Sequence, residues 1–391
     1  MFRRVLAVVG FTLLAGLAPA RAADKPTAPH PELEIVPPEE AARIDRVVQS
    51  VLARMKQRDA KSELVLRGVH PKDHGCVTAT FCVMGNLPEE LRVGVFAKPG
   101  REYPAWVRFS NAAVLLGPDT SPVAGHGSRG MAIKLMKVEG TRVVEKDEPL
   151  TQDFLMVNQP MFAFANIEDY EAFNEFSLKN PDFRAFIKQQ LEKDPGMTDP
   201  ATKRIRRSAE IAGRIASPSV EKGAFAPPPA SPVDARYFGA APSLFGPDTV
   251  MRFSARPIAP SDAVPDVADP IYLRTALLKR LNGAEAKPIV FEFQVQIRTK
   301  ADLLGSVAKD IEDASFDWDE TKYPFVTVAR LTIPPQNFDT AERKKQCENL
   351  FFTPWHTLVE HRPIGGINRL KLKVYEASSA FRHFPKEPAG N

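Results

Sequence analysis

The chain lacks a strong charge of either sign, a long apolar run and an internal repeat. Basic residues exceed acidic ones by only four in 391, too few for the basic field that nucleic acid or an anionic membrane selects. The longest apolar run, Val5 to Ala18, falls short of the roughly 20 residues a membrane-spanning helix needs. Cysteine is scarce as well, at three residues. Cys76 and Cys82 on one extended segment would lie about 20 Å apart, beyond disulfide reach. At most one bridge, to Cys347, is open; otherwise all three are buried thiols.

What is present begins with Arg3-Arg4, the apolar run and Ala20-Arg21-Ala22, the pattern of a cleaved secretory signal over residues 1–22. A mature chain over 23–391 is then exported, periplasmic in a Gram-negative source or secreted. Loss of Arg3, Arg4 and Arg21 lowers the formal charge from +4 to +1. Prolines number 36, many of them in Pro227-Pro-Pro229 and between Pro257 and Pro270, where they favour extended segments wrapping a surface.

Apolar spacing over Glu39 to Arg58 predicts an amphipathic helix. From Gly75 the period becomes two, and short runs at Val77–Val83, Arg92–Phe96, Ala105–Phe109, Met131–Val138 and Phe154–Asn158 predict an antiparallel meander. Helical patterns follow at Ile167–Leu178, Pro181–Glu192 and Thr202–Ile215. Strand patterns return at Val250–Ala255, Ile289–Ile297 and Phe325–Ile333, with a helix at Tyr272–Leu281 among them. The expectation is an α+β fold. Its core is a closed or nearly closed eight-stranded antiparallel barrel, with strands at about 76–158 and 250–333. A helical insertion lies at about 165–216 and a C-terminal helical segment at about 338–384, all in one domain.

Three motifs fall in order within 70 residues: Arg67-Gly-Val-His70, Val107-Arg-Phe-Ser110 and Ser128-Arg-Gly-Met-Ala-Ile-Lys134. They set one histidine and three arginines on strand-like segments, a combination suited to proton transfer beside an anionic cofactor. In residues and order they resemble the heme catalases. The resemblance covers about residues 60–165 and 345–385, and it implies heme b as cofactor. It gives His70 the distal proton-shuttle role, and Ser110 the bond that orients it. Arg67 and Arg108 become propionate partners, with Val69 beside them and Arg129 a further anion contact. Gln152-Asp-Phe-Leu-Met-Val-Asn158-Gln-Pro160 is similar to the segment that supplies the family's distal amide. Aligned on the proline, Asn158 falls one place late, so either Asn158 serves after a shift or the amide is missing. Phe162 and Phe164 stand where the family places aromatics beside the heme.

The proximal end departs from the pattern. The family holds iron through a tyrosinate in Arg-x-x-x-Tyr, and no tyrosine occurs between Pro324 and Val374. Pro354-Trp-His356, with His361-Arg-Pro-Ile-Gly-Gly-Ile-Asn-Arg369 downstream, resembles a short bacterial branch of catalase-like proteins. This makes His356 the candidate metal ligand and leaves Tyr375 as the fallback. His361, His74 and His126 read as surface or loop residues. The implied activity is cleavage of hydrogen peroxide or an organic hydroperoxide with an unknown reductant, peroxidatic and weak in catalase turnover because a neutral ligand donates less charge to iron. The alternatives are a fatty-acid hydroperoxide enzyme of the catalase-related allene oxide synthase type, a non-catalytic heme binder, and a heme-free barrel holding another anion. Family habit adds a possible homo-oligomer.

Overall fold

The computed structural model describes residues 27–62, 64–112, 114, 116–121, 128–144, 150–216, 230–261 and 263–382, and of 212–216 the backbone alone. Residues 1–22, Pro227-Pro-Pro229 and His126 lie outside these. No helix among the described residues is long and apolar enough to cross a membrane.

Alternating sequence becomes sheet. The strands are β1 (Asp73–Val83), β2 (Glu102–Asn111), β3 (Arg129–Met136), β4 (Thr151–Val157), β5 (Tyr237–Phe238), β6 (Ser243–Leu244), β7 (Thr249–Pro257), β8 (Ile289–Thr299) and β9 (Val326–Ile333). Neighbours run β5-β4-β3-β2-β1-β9-β8-β7-β6, and a further pairing of β5 with β7 closes the ring. The result is an eight-stranded antiparallel barrel with β6 added outside the circuit, so no long edge is left bare.

The five-plus-three division of strands is corrected. Arg92–Phe96 is not a strand: Gly94–Phe96 forms a 3-10 turn that plugs Phe96 into the barrel against Phe81, Phe154, Phe245 and Phe293. Closure falls instead to β5, whose two residues join Val157 on one side to Ser254 and Ala255 on the other. Phe154 and Phe293 meet at 4.6 Å between ring centroids, and the barrel interior is filled by such contacts. Val107 and Phe109 belong to that core, so the two-residue period turns Arg108 and Ser110 to the outer face.

Helices cover that face. α1 (Glu40–Asp59) buries Ile44, Val47, Val51 and Met55. Before the barrel closes, the chain forms α2 (Ile167–Ser177), α3 (Phe183–Lys193) and α4 (Pro200–Ala216); later come α5 (Tyr272–Asn282), α6 (Lys300–Leu303), α7 (Val307–Asp310), α8 (Ala341–Asn349) and α9 (Gly366–Phe381). α9 packs Ile367, Leu370 and Val374 with the buried stripe of α1. Cys76 of β1 and Cys347 of α8 form a disulfide across 271 residues, with Cα atoms 5.9 Å apart, while Cys82 remains a thiol.

Candidate active site

One cavity of about 880 Å³ lies between the outer face of the barrel, α9 and the helical insertion. His70, Arg67, Val69, Arg108, Ser110, Phe162 and Phe164 all line it. Sequence order thus converges in space for seven of the expected residues.

His70 sits just before β1 in a left-handed backbone conformation, φ +53°, which is uncommon outside glycine and concentrates at functional sites. Two glycines make this approach possible. A Cβ on Gly68 would lie 2.6 Å from Val51 Cγ1 and 2.9 Å from Met55 Sδ, so the bare backbone lets this segment press onto α1. Ser378 Oγ on α9 accepts the Gly68 N–H at 2.9 Å. Gly130 lies opposite Ser110 across β2 and β3, and a Cβ there would lie 2.4 Å from His70 Nδ1. His70 Nδ1 is 3.0 Å from Ser110 Oγ. Burial, aided by the charges of Arg108 and Lys371, pushes the imidazole down to about 3, so it is neutral at physiological pH.

A cluster of arginines faces the same space. Arg67 donates to Glu348 at 2.8 Å and to the carbonyls of Cys347 and Leu350 at 2.8 and 2.7 Å. Arg382 donates to the Glu348 carboxylate at 2.9 Å. Burial favours the neutral Glu348 carboxyl, yet Arg67, Arg108 and Arg382 outweigh it and hold the group below the usual carboxylate range. One carboxylate therefore faces three guanidiniums. Arg108 is the least satisfied of them: it is 3% exposed, and among the described residues its side chain makes one long bond of 3.5 Å, to the Pro71 carbonyl, while its buried Nε has no partner. Unpaired buried donors are costly, and an anion in the cavity would satisfy them.

α9 brings in the fallback residue Tyr375 and, beside it, Lys371, which no motif had singled out. Lys371 and Tyr375 both line the cavity; four residues apart, they share one helical face. Burial alone pushes the Lys371 amine down to about 8, and burial raises the Tyr375 phenol while Arg108 opposes the rise. Lys371-x-x-x-Tyr375 is similar in spacing to the Arg-x-x-x-Tyr of the heme catalases, with lysine at the first position. That substitution, and the distance from the Pro-Trp-His motif, hid it.

Three expected residues lie elsewhere. His356 is 2% exposed and outside the cavity lining. Its Nδ1 lies 3.2 Å from both Lys134 Nζ and Asp153 Oδ2, and its carbonyl accepts from the Asp153 N–H at 2.8 Å. It ties the loop after α8 onto the sheet. Arg129 turns into a separate buried network, donating to Asn111 Oδ1 at 2.9 Å and the Asp119 carbonyl at 3.2 Å. Asn158 exchanges bonds with the Arg129 backbone, at 2.8 Å through its side chain and 3.0 Å through its own N–H, so it caps the β3–β4 pair. The neighbouring Gln159 lines the cavity instead. His74 and His361 are buried rather than superficial: His74 meets Asn111 Oδ1 at 2.8 Å, and His361 Nε2 accepts from the Val95 N–H at 3.2 Å.

The fold is catalase-like. No protein-family model and no curated protein matches the sequence, but solved structures do. A bacterial catalase matches with TM-score 0.60 and 17% identity over 84% of this chain and 59% of its own. For a fungal catalase the values are 0.62, 17%, 83% and 61%, and for catalase A from Saccharomyces cerevisiae 0.61, 16%, 84% and 62%. The chain spans about three fifths of the length of these catalases.

Proposed function

We propose that the cavity binds heme b and that the protein is an exported hydroperoxidase, cleaving the O–O bond of hydrogen peroxide or an organic hydroperoxide. One observation carries this reading: His70, held by Ser110, lines the same cavity as Tyr375 and the arginine cluster. The residues fit the group. Tyr375 would ligate the iron, Val69, Phe162 and Phe164 would flank the macrocycle, and Arg67, Arg108 and Arg382 would face its carboxylates. Bound heme would supply the two electrons that heterolytic O–O cleavage consumes.

The rest falls to this chain's own side chains. With Nδ1–H donated to Ser110, His70 keeps a lone pair on Nε2. That nitrogen takes the proton from the near peroxide oxygen and returns it to the departing one. Burial and the neighbouring cations keep the imidazolium short-lived, which favours the return. Gln159, an amide that lines the cavity, would hold the departing oxygen in place of Asn158. With Tyr375 as the iron ligand, the expectation of weak catalase turnover, which rested on a neutral ligand, would lose its basis. The disulfide between Cys76 and Cys347 supports export, since such bonds persist in oxidising compartments.

The test is the optical spectrum of the mature protein produced with ample heme, before and after peroxide. A stoichiometric Soret band that shifts with peroxide is the expected result. Absence of heme uptake would overturn the proposal and favour a barrel that holds another anion.

A further inference from the structure

The cavity has two unlike parts. Its inner part carries the cations, His70 and Tyr375. Its outer part is walled by the helical insertion, with Phe164, Tyr170, Phe173, Phe183, Ile187 and Leu191 facing the space. These rings brace one another: Phe164 stacks on Phe173 at 5.2 Å, and Phe173 meets Phe183 edge-on at 5.2 Å. Small residues, Ala163 and Ala209, leave the space between them open.

We infer that this outer lobe binds the uncharged hydrocarbon chain of an organic hydroperoxide, whose O–O end reaches His70. The inference rests on the proposed hydroperoxidase reading and assigns its substrate class. Hydrogen peroxide is small and polar and gains nothing from an aromatic wall, whereas an alkyl chain gains free energy with every methylene it withdraws from water. The charges at the lobe are matched in pairs, Asp182 with Arg184 at 3.2 Å and Lys188 with Glu192 at 3.9 Å. That balance gives no surplus charge for an ionic tail. Selection therefore falls on chain length and apolarity.

The experiment is calorimetric titration of the full mature protein, with and without heme, using 1-decanol as a neutral probe. Saturable binding to wild type is expected. Ala209→Trp, which fills the lobe, should weaken binding about tenfold, and the rate with decyl hydroperoxide relative to hydrogen peroxide should fall by a similar factor. Leu191→Glu, which places a charge in the lobe, is the second variant should the tryptophan prevent folding. Absence of saturable binding, or equal affinity in folded variants, overturns the inference. Decanol binding without heme uptake would instead sink the hydroperoxidase reading and leave the lobe as an alkyl-chain site.

Discussion

The backbone of Gly130 passes so close to the His70 imidazole that a single added methyl group would lie 2.4 Å from Nδ1 and 2.8 Å from Ser110 Oγ. Glycine here is a requirement of the histidine's position, because the β2–β3 register sets Gly130 opposite Ser110. Gly130→Ala should fold yet lose about a hundredfold in peroxide-dependent rate, the scale of a misplacement near 1 Å. Ser110→Ala, which frees the ring without displacing it, should lose about tenfold. Steady-state kinetics on both variants decide this, and an unchanged rate in Gly130→Ala would show that His70 does no proton transfer.

Tyr375 and His356 offer opposite outcomes. Tyr375→Phe removes one hydroxyl from the cavity and should shift the Soret band and weaken heme retention at least about tenfold. His356→Ala should leave the spectrum in place. It should cost stability of about 1–3 kcal/mol, because it strips a partner from the buried pair Lys134 and Asp153. A moved Soret band in His356→Ala would reverse the assignment.

The disulfide fixes the wall that holds Arg67. Cys347 contributes both the bridge to β1 and a carbonyl that Arg67 grips. Cys347→Ser should lower unfolding free energy by about 2–5 kcal/mol, read from urea denaturation under non-reducing conditions. Wild type treated with a reductant should converge on the variant, and a reductant that changes nothing would argue against the bridge.

Stability should also fall in mild acid. Burial holds His70 at about 3, and His74 and His361 at about 4, against an ordinary 6.5. Between those values and 6.5 the unfolded chain takes up protons that the folded chain refuses, so their stabilising effect is full above 6.5 and is lost as pH falls. Together the three residues give a slope approaching about 4 kcal/mol per pH unit. The melting temperature should drop steeply from pH 6.5 to 4.5; a flat profile would mean that these rings ionise within the fold.

The sequence was most legible where local period and motif agree. β1 to β4 and α1 to α5 follow from alternation or helical spacing, and His70, Ser110, Arg67 and Arg108 from short motifs whose residues remain neighbours. Legibility failed where position depends on distant partners. Phe96 alternates like a strand residue but is drawn into the barrel by four other rings, and β5 is too short to carry a period. His356 resembled a ligand because histidine is chemically able to be one. Only the sheet behind it shows that it belongs with Lys134 and Asp153. Gly130 was read as part of a motif, and its reason became visible once His70 lay against it.

The two-residue β5 gives the barrel a seam. Every other stave pairs with at least one neighbour through seven or more residues, whereas among the described residues β4 and β7 are bridged through Tyr237 and Phe238. Thermal breathing of the cylinder should concentrate at this join. Because Val157 is both the partner of Phe238 and part of the cavity wall, each such excursion would loosen the chamber before the packed rings inside the cylinder feel any change.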